Sequence, residues 1–289
     1  MSERVKALGQ VIDEELGAAV TCWGNGDEWG RNQTDSHRRT IPGLSRLDTW
    51  SRISKRHSNP RNPNRQRGRK PRVRHIFIAG GTGYIGSRLI PLLRQRGHIV
   101  RALARRGSES KVPAGCEVVL GDPFDRSTFA HAIAPADTFV QLVGVPHPSP
   151  AKAQQFLDID LRSARQSIAA ASSRSIRHFV YVSVAQPAPV MRAYQATRAE
   201  AERELVASGL AHTIVRPWYV LGPGHRWPYA LLPMYWLLER LPSTRESATR
   251  LGLVTIDQML AALVCAVEQP AQCRIVTVPE IRASRPTQI

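Results

Sequence analysis

The chain has 289 residues, 42% of them apolar and 22% charged, which allows one large or two small packed domains. Its formal net charge of +17 is split almost evenly between residues 1–74 (+8) and the much longer remainder (+9). A basic balance can serve nucleic acid or anionic lipid. Here the excess lies in Arg, with Lys scarce, a bias that genome base composition produces, so no specific nucleic-acid contact is expected. The four cysteines, Cys22, Cys116, Cys265 and Cys273, have no CxxC spacing and no accompanying histidine cluster. The expectation is therefore no metal site and no disulfide framework. Reduced thiols and the lack of an apolar leader run point to the cytoplasm.

Residues 1–73 read differently from the rest. Val5 to Val20 has weak helical periodicity, and Ser51 to Arg74 is an Arg/Asn/Pro/Ser run containing Arg65-Gln66-Arg67-Gly68-Arg69-Lys70. With so few apolar residues it cannot offset its ordering entropy, and a disordered basic extension is expected. Two readings of it stay open: a functional basic arm, or a mis-assigned start, since Val73 can be encoded by GTG, which serves as a start codon.

From residue 74 the pattern alternates strand and helix. His75–Ala79 is a short β-rich run, and Gly80-Gly81-Thr82-Gly83-Tyr84-Ile85-Gly86 follows it directly. Ile85, Leu89, Ile90 and Leu93 recur at helical spacing, and Gly97 sits where a helix C-cap belongs. Pro91 interrupts that helix and is expected to kink it. A glycine loop between a strand and a helix has a physical reason. Gly80 permits the tight turn, Gly83 lets the backbone approach a pyrophosphate, and Gly86 lets the helix pack close to the sheet. The helix N-terminus then offers N–H groups and positive dipole to the anion. A dinucleotide is expected here, held by Gly80, Thr82, Gly83, Tyr84, Ile85 and Gly86.

His98–Ala104 reads as the second strand. An acid at its end would hold a ribose 2′-hydroxyl, but the chain continues Arg105-Arg106, and guanidinium groups suit a 2′-phosphate. NADP is therefore expected, with NAD the alternative and solvated surface the bland reading of both arginines. Further strands are expected at Glu117–Leu120, Thr138–Val143, His178–Ser183 and His212–Val215, with helices at Ser127–Ile133, Ala151–Ser172 and Ala193–Ser208. Leu253–Val267 looks like a final helix with its preceding strand, and Arg274–Val278 like a late strand. Repeated βα units imply a parallel sheet covered on both faces: an α/β Rossmann domain, doubly wound, over residues 74–289, with a small C-terminal substrate-side region from about residue 218.

The glycine loop, Gly121-Asp122 after the third strand and Arg216-Pro217 after the sixth resemble the short-chain dehydrogenase/reductase superfamily. The spacing is similar to its extended and atypical branches, including NmrA-like and complex I subunit-like proteins, over roughly residues 75–280. The resemblance implies that Asp122 contacts the adenine and that Leu142-Val143-Gly144-Val145 lies beside the cofactor, making Val143 and Gly144 candidate contacts. It also implies a catalytic Ser, Tyr and Lys. Ser183 and Tyr194 match, but Tyr194-Gln195-Ala196-Thr197-Arg198 places Arg198 where lysine is expected.

Positions i and i+4 share a helix face, so Arg198 can lie beside the Tyr194 phenol and favour its ionised form by charge, while Ser183 orients a substrate carbonyl. Arg198 cannot reproduce a lysine's contact with the nicotinamide ribose. The plainer reading makes Tyr194 and Arg198 ordinary helix residues, with Arg198 paired to Glu202, and Ser183 a strand-end cap. Beyond Pro217, the segment from Trp227 to Leu238 is rich in aromatic and aliphatic residues. It can pack as a lid, line a pocket for a lipophilic small molecule, or touch a membrane surface. His225 is a weaker acid/base candidate. Three functions follow: an NADP-dependent oxidoreductase or epimerase-like enzyme on a lipophilic carbonyl or hydroxyl compound, a non-catalytic NAD(P)-binding sensor or assembly factor, or, resting only on the basic tail, a nucleic-acid-associated protein.

Overall fold

The computed structural model describes residues 72–188, 190–224 and 245–285, and positions 233, 235, 236, 239, 240 and 242. The expectations for residues 1–71, for His225 and for most of 227–238 lie outside them. Residues Pro71–Ile289 form one compact unit. Its strands are β1 (His75–Ala79), β2 (Ile99–Ala104), β3 (Glu117–Leu120), β4 (Thr138–Gln141), β5 (His178–Val182), β6 (His212–Val215), β7 (Val220–Leu221), β8 (Val254–Thr255) and β9 (Cys273–Val276). The described α-helices of six residues or more are α1 (Gly86–Gln95), α2 (Arg162–Ser173), α3 (Arg192–Ala207), α4 (Arg245–Arg250), α5 (Ile256–Glu268) and α6 (Val278–Ala283).

Seven strands form one parallel sheet in the order β3-β2-β1-β4-β5-β6-β9, and β7 pairs with β8 separately. The order reverses between β1 and β4, and this opens a crevice at the carboxyl ends of those strands. Alternate strand residues point to opposite faces. Phe77, Phe139 and Phe179 are in register across β1, β4 and β5 and stack in a row, with ring centres 5.2 and 5.1 Å apart. That row packs against α2 and α3. Ile76, Ile78, Val140 and Val180 face the other way, against α1 and α5. Strands buried on both faces are what a covered parallel sheet requires.

Local chemistry sets the helix ends. Gly97 has φ +83°, the His98 N–H donates to the Leu93 carbonyl at 3.1 Å, and the Gly97 N–H donates to the Arg94 carbonyl at 2.8 Å. This is the paired-bond Schellman ending that favours glycine. Pro91 lies inside α1, which continues through it.

Two helix expectations are corrected. Residues 127–133 are not one helix but two short 3₁₀ turns, Arg126–Thr128 and Ala130–Ala132; the Asp125 carboxylate accepts from the Ser127 N–H at 2.9 Å and starts the first. Residues 151–172 are not one regular helix. A helical turn at Ala153–Gln155 widens into a π-helical segment, Phe156–Leu161, before α2 begins.

His178, at the amino end of β5, is fully buried and its Nε2 lies 3.0 Å from the Thr213 hydroxyl. Burial first, then nearby Arg74 and His212, push its pKa down to about 4. The unfolded chain then takes up a proton near pH 6.5, whereas the folded chain does not until about pH 4. Stability therefore falls as pH drops through that window, by about 3 kcal/mol at the lower end. His178→Gln should flatten the dependence of unfolding free energy on pH between 6.5 and 4, measured by urea denaturation. An unchanged slope would refute this assignment.

Candidate functional site

The loop after β1 is built around absent side chains. Gly80 has φ +89°, and a Cβ there would lie 2.8 Å from the backbone of Leu142 and Val143. At Gly86 a Cβ would lie 2.7 Å from the Gly81 Cα, so only glycine lets α1 begin so close to the loop. Gly83 is exposed, and its N–H donates to the Gly80 carbonyl at 3.1 Å. The residue before α1, Ile85, supplies no side-chain cap, and no acid occupies the first turn. An anion would satisfy that helix end. Thr82 and Tyr84 complete the loop, with the Tyr84 hydroxyl against Gly222 and the Arg88 guanidinium 4.0 Å from its ring centre. The cradle fits a dinucleotide pyrophosphate.

Arg105 and Arg106 are exposed beyond β2, in a turn closed by the Ser108 N–H on the Arg105 carbonyl at 2.9 Å. Asp122 is exposed beyond β3, and its Oδ1 accepts from the Phe124 N–H at 2.9 Å. Val143 and Gly144 follow β4, both partly buried. Loop, arginines, Asp122 and Gly144 thus all lie at the carboxyl edge of the sheet.

Ser183 lies at the carboxyl end of β5. It is 3% exposed, and its hydroxyl has no hydrogen-bond partner among the described residues. Tyr194 is in the first turn of α3, half-buried, with its ring centre 4.9 Å from that of Phe156.

Arg198 is buried, with its guanidinium 5.2 Å from the Tyr194 ring centre. Its Nη1 donates to the Val182 carbonyl at 2.8 Å and the Tyr181 hydroxyl at 3.3 Å. Its Nη2 pairs with Asp160 Oδ1 at 2.5 Å. The i+4 alternative is corrected: Glu202 holds Arg216, whose Nε donates to it at 3.0 Å. Asp160 is 1% exposed, and its Oδ2 accepts the Val145 N–H at 2.9 Å. Burial alone would lower the Arg198 pKa, but Tyr181, Tyr194 and Asp160 around it hold it well above the usual value. Burial pushes Tyr181 up to about 12 and raises Asp160 against the pull of Arg198 and the Val145 amide.

Asp160 and Tyr181 were not among the residues singled out from the sequence. An acid within Phe156-Leu157-Asp158-Ile159-Asp160-Leu161 was the available hint, since one of two such acids on a largely apolar stretch faces inward.

Beyond β6, the Trp218 and Tyr219 ring centres are 5.5 Å apart, edge to face. Trp236 is 57% exposed, with Arg240 stacked 3.6 Å from its ring centre. Among the described residues no helix is long and apolar enough to cross a membrane, and no cluster of His, Cys, Asp or Glu could hold a metal.

A family model described as NAD(P)H-binding matches residues 80–226. The chain belongs to this NAD(P)H-binding family, within the short-chain dehydrogenase/reductase superfamily. It is 30% identical over 155 residues to a protein named as an uncharacterized sugar epimerase of Bacillus subtilis, covering 49% of this chain and 70% of that one. It is 28% identical over 225 residues to a 3-diazoavenalumate denitrifying reductase of a Streptomyces species (68% and 73%), and 25% identical over 199 residues to a ceramide reductase of Caulobacter vibrioides (68% and 61%).

Among solved structures, the Bordetella bronchiseptica enzyme WbmH in complex with NAD+ superposes with a TM-score of 0.54 at 19% identity, covering 73% of this chain and 80% of that one. A Thermotoga maritima UDP-glucose 4-epimerase superposes with a TM-score of 0.53 at 14% identity, covering 72% and 80%. These two show the fold.

Proposed function

We propose that the protein is an NADP-dependent oxidoreductase acting on a lipophilic carbonyl or hydroxyl compound. The carrying observation is the Ser183 hydroxyl, buried at the carboxyl end of β5 without a partner among the described residues. An unsatisfied buried donor costs about 1–3 kcal/mol, and a substrate oxygen at that position relieves the cost. In this reading Ser183 donates to the substrate oxygen and the Tyr194 phenol exchanges the proton with it. The cofactor, when bound, supplies or takes the hydride.

The lipophilic substrate class draws on the ceramide reductase among the relatives and on the apolar segment 227–238, offered here as a pocket wall or membrane-facing edge. A cytoplasmic location belongs to the same reading, from the cysteine usage. NADP draws on Arg105 and Arg106, exposed where an acid would select NAD. A second reading, an NAD(P) sensor or assembly factor without turnover, is favoured by one feature: Arg198 is committed to Asp160.

Purified protein should oxidise NADPH with at least one member of a panel of long-chain and steroid ketones. Inactivity across the panel favours the sensor. Each charge-assisted hydrogen bond to a phosphate is worth about 1.5–3 kcal/mol. Replacing both arginines by Ala (R105A and R106A together) should therefore weaken NADP binding at least about tenfold and leave NAD binding unchanged, by calorimetric titration. An equal effect on both cofactors would reduce the arginines to surface.

A further inference from the structure

We infer that Cys273 and His212 form a reactive-thiol site, a place where low-molecular-weight disulfides modify the chain. The inference stands apart from the proposed function and needs neither a bound cofactor nor turnover.

His212 and Cys273 face each other at the amino ends of β6 and β9. The Cys273 Sγ lies 3.3 Å from the His212 Nε2, and the other ring nitrogen, Nδ1, lies 2.8 Å from the Leu210 carbonyl. A carbonyl oxygen only accepts. Nδ1 therefore carries the hydrogen, and Nε2 presents its lone pair to the thiol. The His212 ring is held in that pose: the residue is 4% exposed, and its backbone N–H donates to the Gln272 carbonyl at 3.2 Å, next to Cys273. A nucleophile, a base within reach and a third group that orients the base are the parts that activate a thiol.

Moving the proton orphans no group. When Nε2 takes it, the imidazolium still donates at both nitrogens, to the Leu210 carbonyl and to the thiolate. Access is open as well. Cys273 is exposed, and β9 is the last strand of the seven-stranded sheet. The Cys116 thiol, by contrast, donates to the Glu117 carbonyl at 3.5 Å, and burial pushes it up to about 11. Cys265 is half-buried on α5. The pair also lies at the amino edge of the sheet, whereas the glycine loop, Ser183 and Tyr194 lie beyond the carboxyl ends of the strands.

The chemistry is thiol–disulfide exchange. The Cys273 sulfur attacks one sulfur of a disulfide RS–SR. The new bond to Cys273 forms as the RS–SR bond breaks, and the proton held by His212 passes to the departing RS⁻. Cys273 is oxidised to a mixed disulfide, and half of the reagent is reduced to a thiol, RSH.

The test uses the full chain, excess iodoacetamide at pH 7 and peptide mass spectrometry to follow each cysteine. General-base help is worth about 10²–10⁴-fold, and a thiol needs less of it than a hydroxyl. Cys273 should therefore be alkylated at least about tenfold faster than free N-acetylcysteine amide. His212→Gln should remove that advantage. Oxidised glutathione should add to Cys273 ahead of Cys116 and Cys265. A rate at or below that of the free thiol, an undiminished rate in His212→Gln, or glutathione added first to Cys116 or Cys265 overturns the inference. If His212→Gln does not fold by circular dichroism, the comparison of wild-type Cys273 with the free thiol decides.

Discussion

Asp160→Ala should destabilise the folded domain by about 3–5 kcal/mol, the usual cost of removing one partner from a buried ion pair. Arg198 is 6% exposed, and a guanidinium cannot shed its proton to escape burial. Without the carboxylate its neighbours are the Val182 carbonyl and the Tyr181 hydroxyl, which carry no compensating charge. The Val145 N–H loses its acceptor as well. Urea denaturation followed by circular dichroism measures the loss. The double variant Asp160→Ala with Arg198→Met removes both charges and should recover most of it, since an apolar pair of similar volume packs as well as the ionic one. If the single variant loses less than about 1 kcal/mol, the pair is solvated and its structural role is wrong.

On the proposed reading, Tyr194→Phe should lower turnover by about 10²–10⁴-fold, the range for losing a positioned general acid or base. The variant is conservative in shape. The phenyl ring keeps its packing on Phe156, with centres 4.9 Å apart, and stays beside the Arg198 guanidinium at 5.2 Å. Thermal stability and NADP+ affinity should therefore be nearly unchanged, which separates a chemical role from a structural one. Steady-state NADPH oxidation gives the rate and calorimetry the affinity. Unchanged turnover in the variant would remove Tyr194 from the chemistry.

How far the sequence reached differs from one element to the next. The bounds of β1, β3 and β6 were legible because each carries branched aliphatic residues and is followed within two residues by Gly80, Gly121 or Pro217. β4 and β5 stop earlier than the sequence suggests, at Gln141 and Val182 rather than Val143 and Ser183, because the chain leaves the ladder there to form the crevice. A capping box at Thr277 and Glu280 opens α6. Thr277-Val278-Pro279-Glu280 carries that pattern in plain sight, yet Arg274–Val278 was read only as a strand.

The candidate site divides in the same way. Gly83 and Gly86 act on backbone within the loop itself, so the glycine spacing was enough to place the turn between β1 and α1; Gly80 answers as well to Leu142 and Val143 across the sheet. The exposed pair Arg105-Arg106 and the Ser183, Tyr194, Arg198 pattern were likewise visible as local strings.

What Arg198 does was not visible. Spacing along one helix paired it with Glu202. Packing of α3 against the sheet gave Glu202 to Arg216 and turned Arg198 toward Asp160, a residue 38 positions earlier in the chain. Asp160 lies inside the π-helical segment, where the side-chain period departs from that of a regular helix, and a hydrophobic period read from sequence carries no record of it. Local backbone chemistry is written in neighbouring residues. The partner of a buried charge is written only in the way distant segments meet.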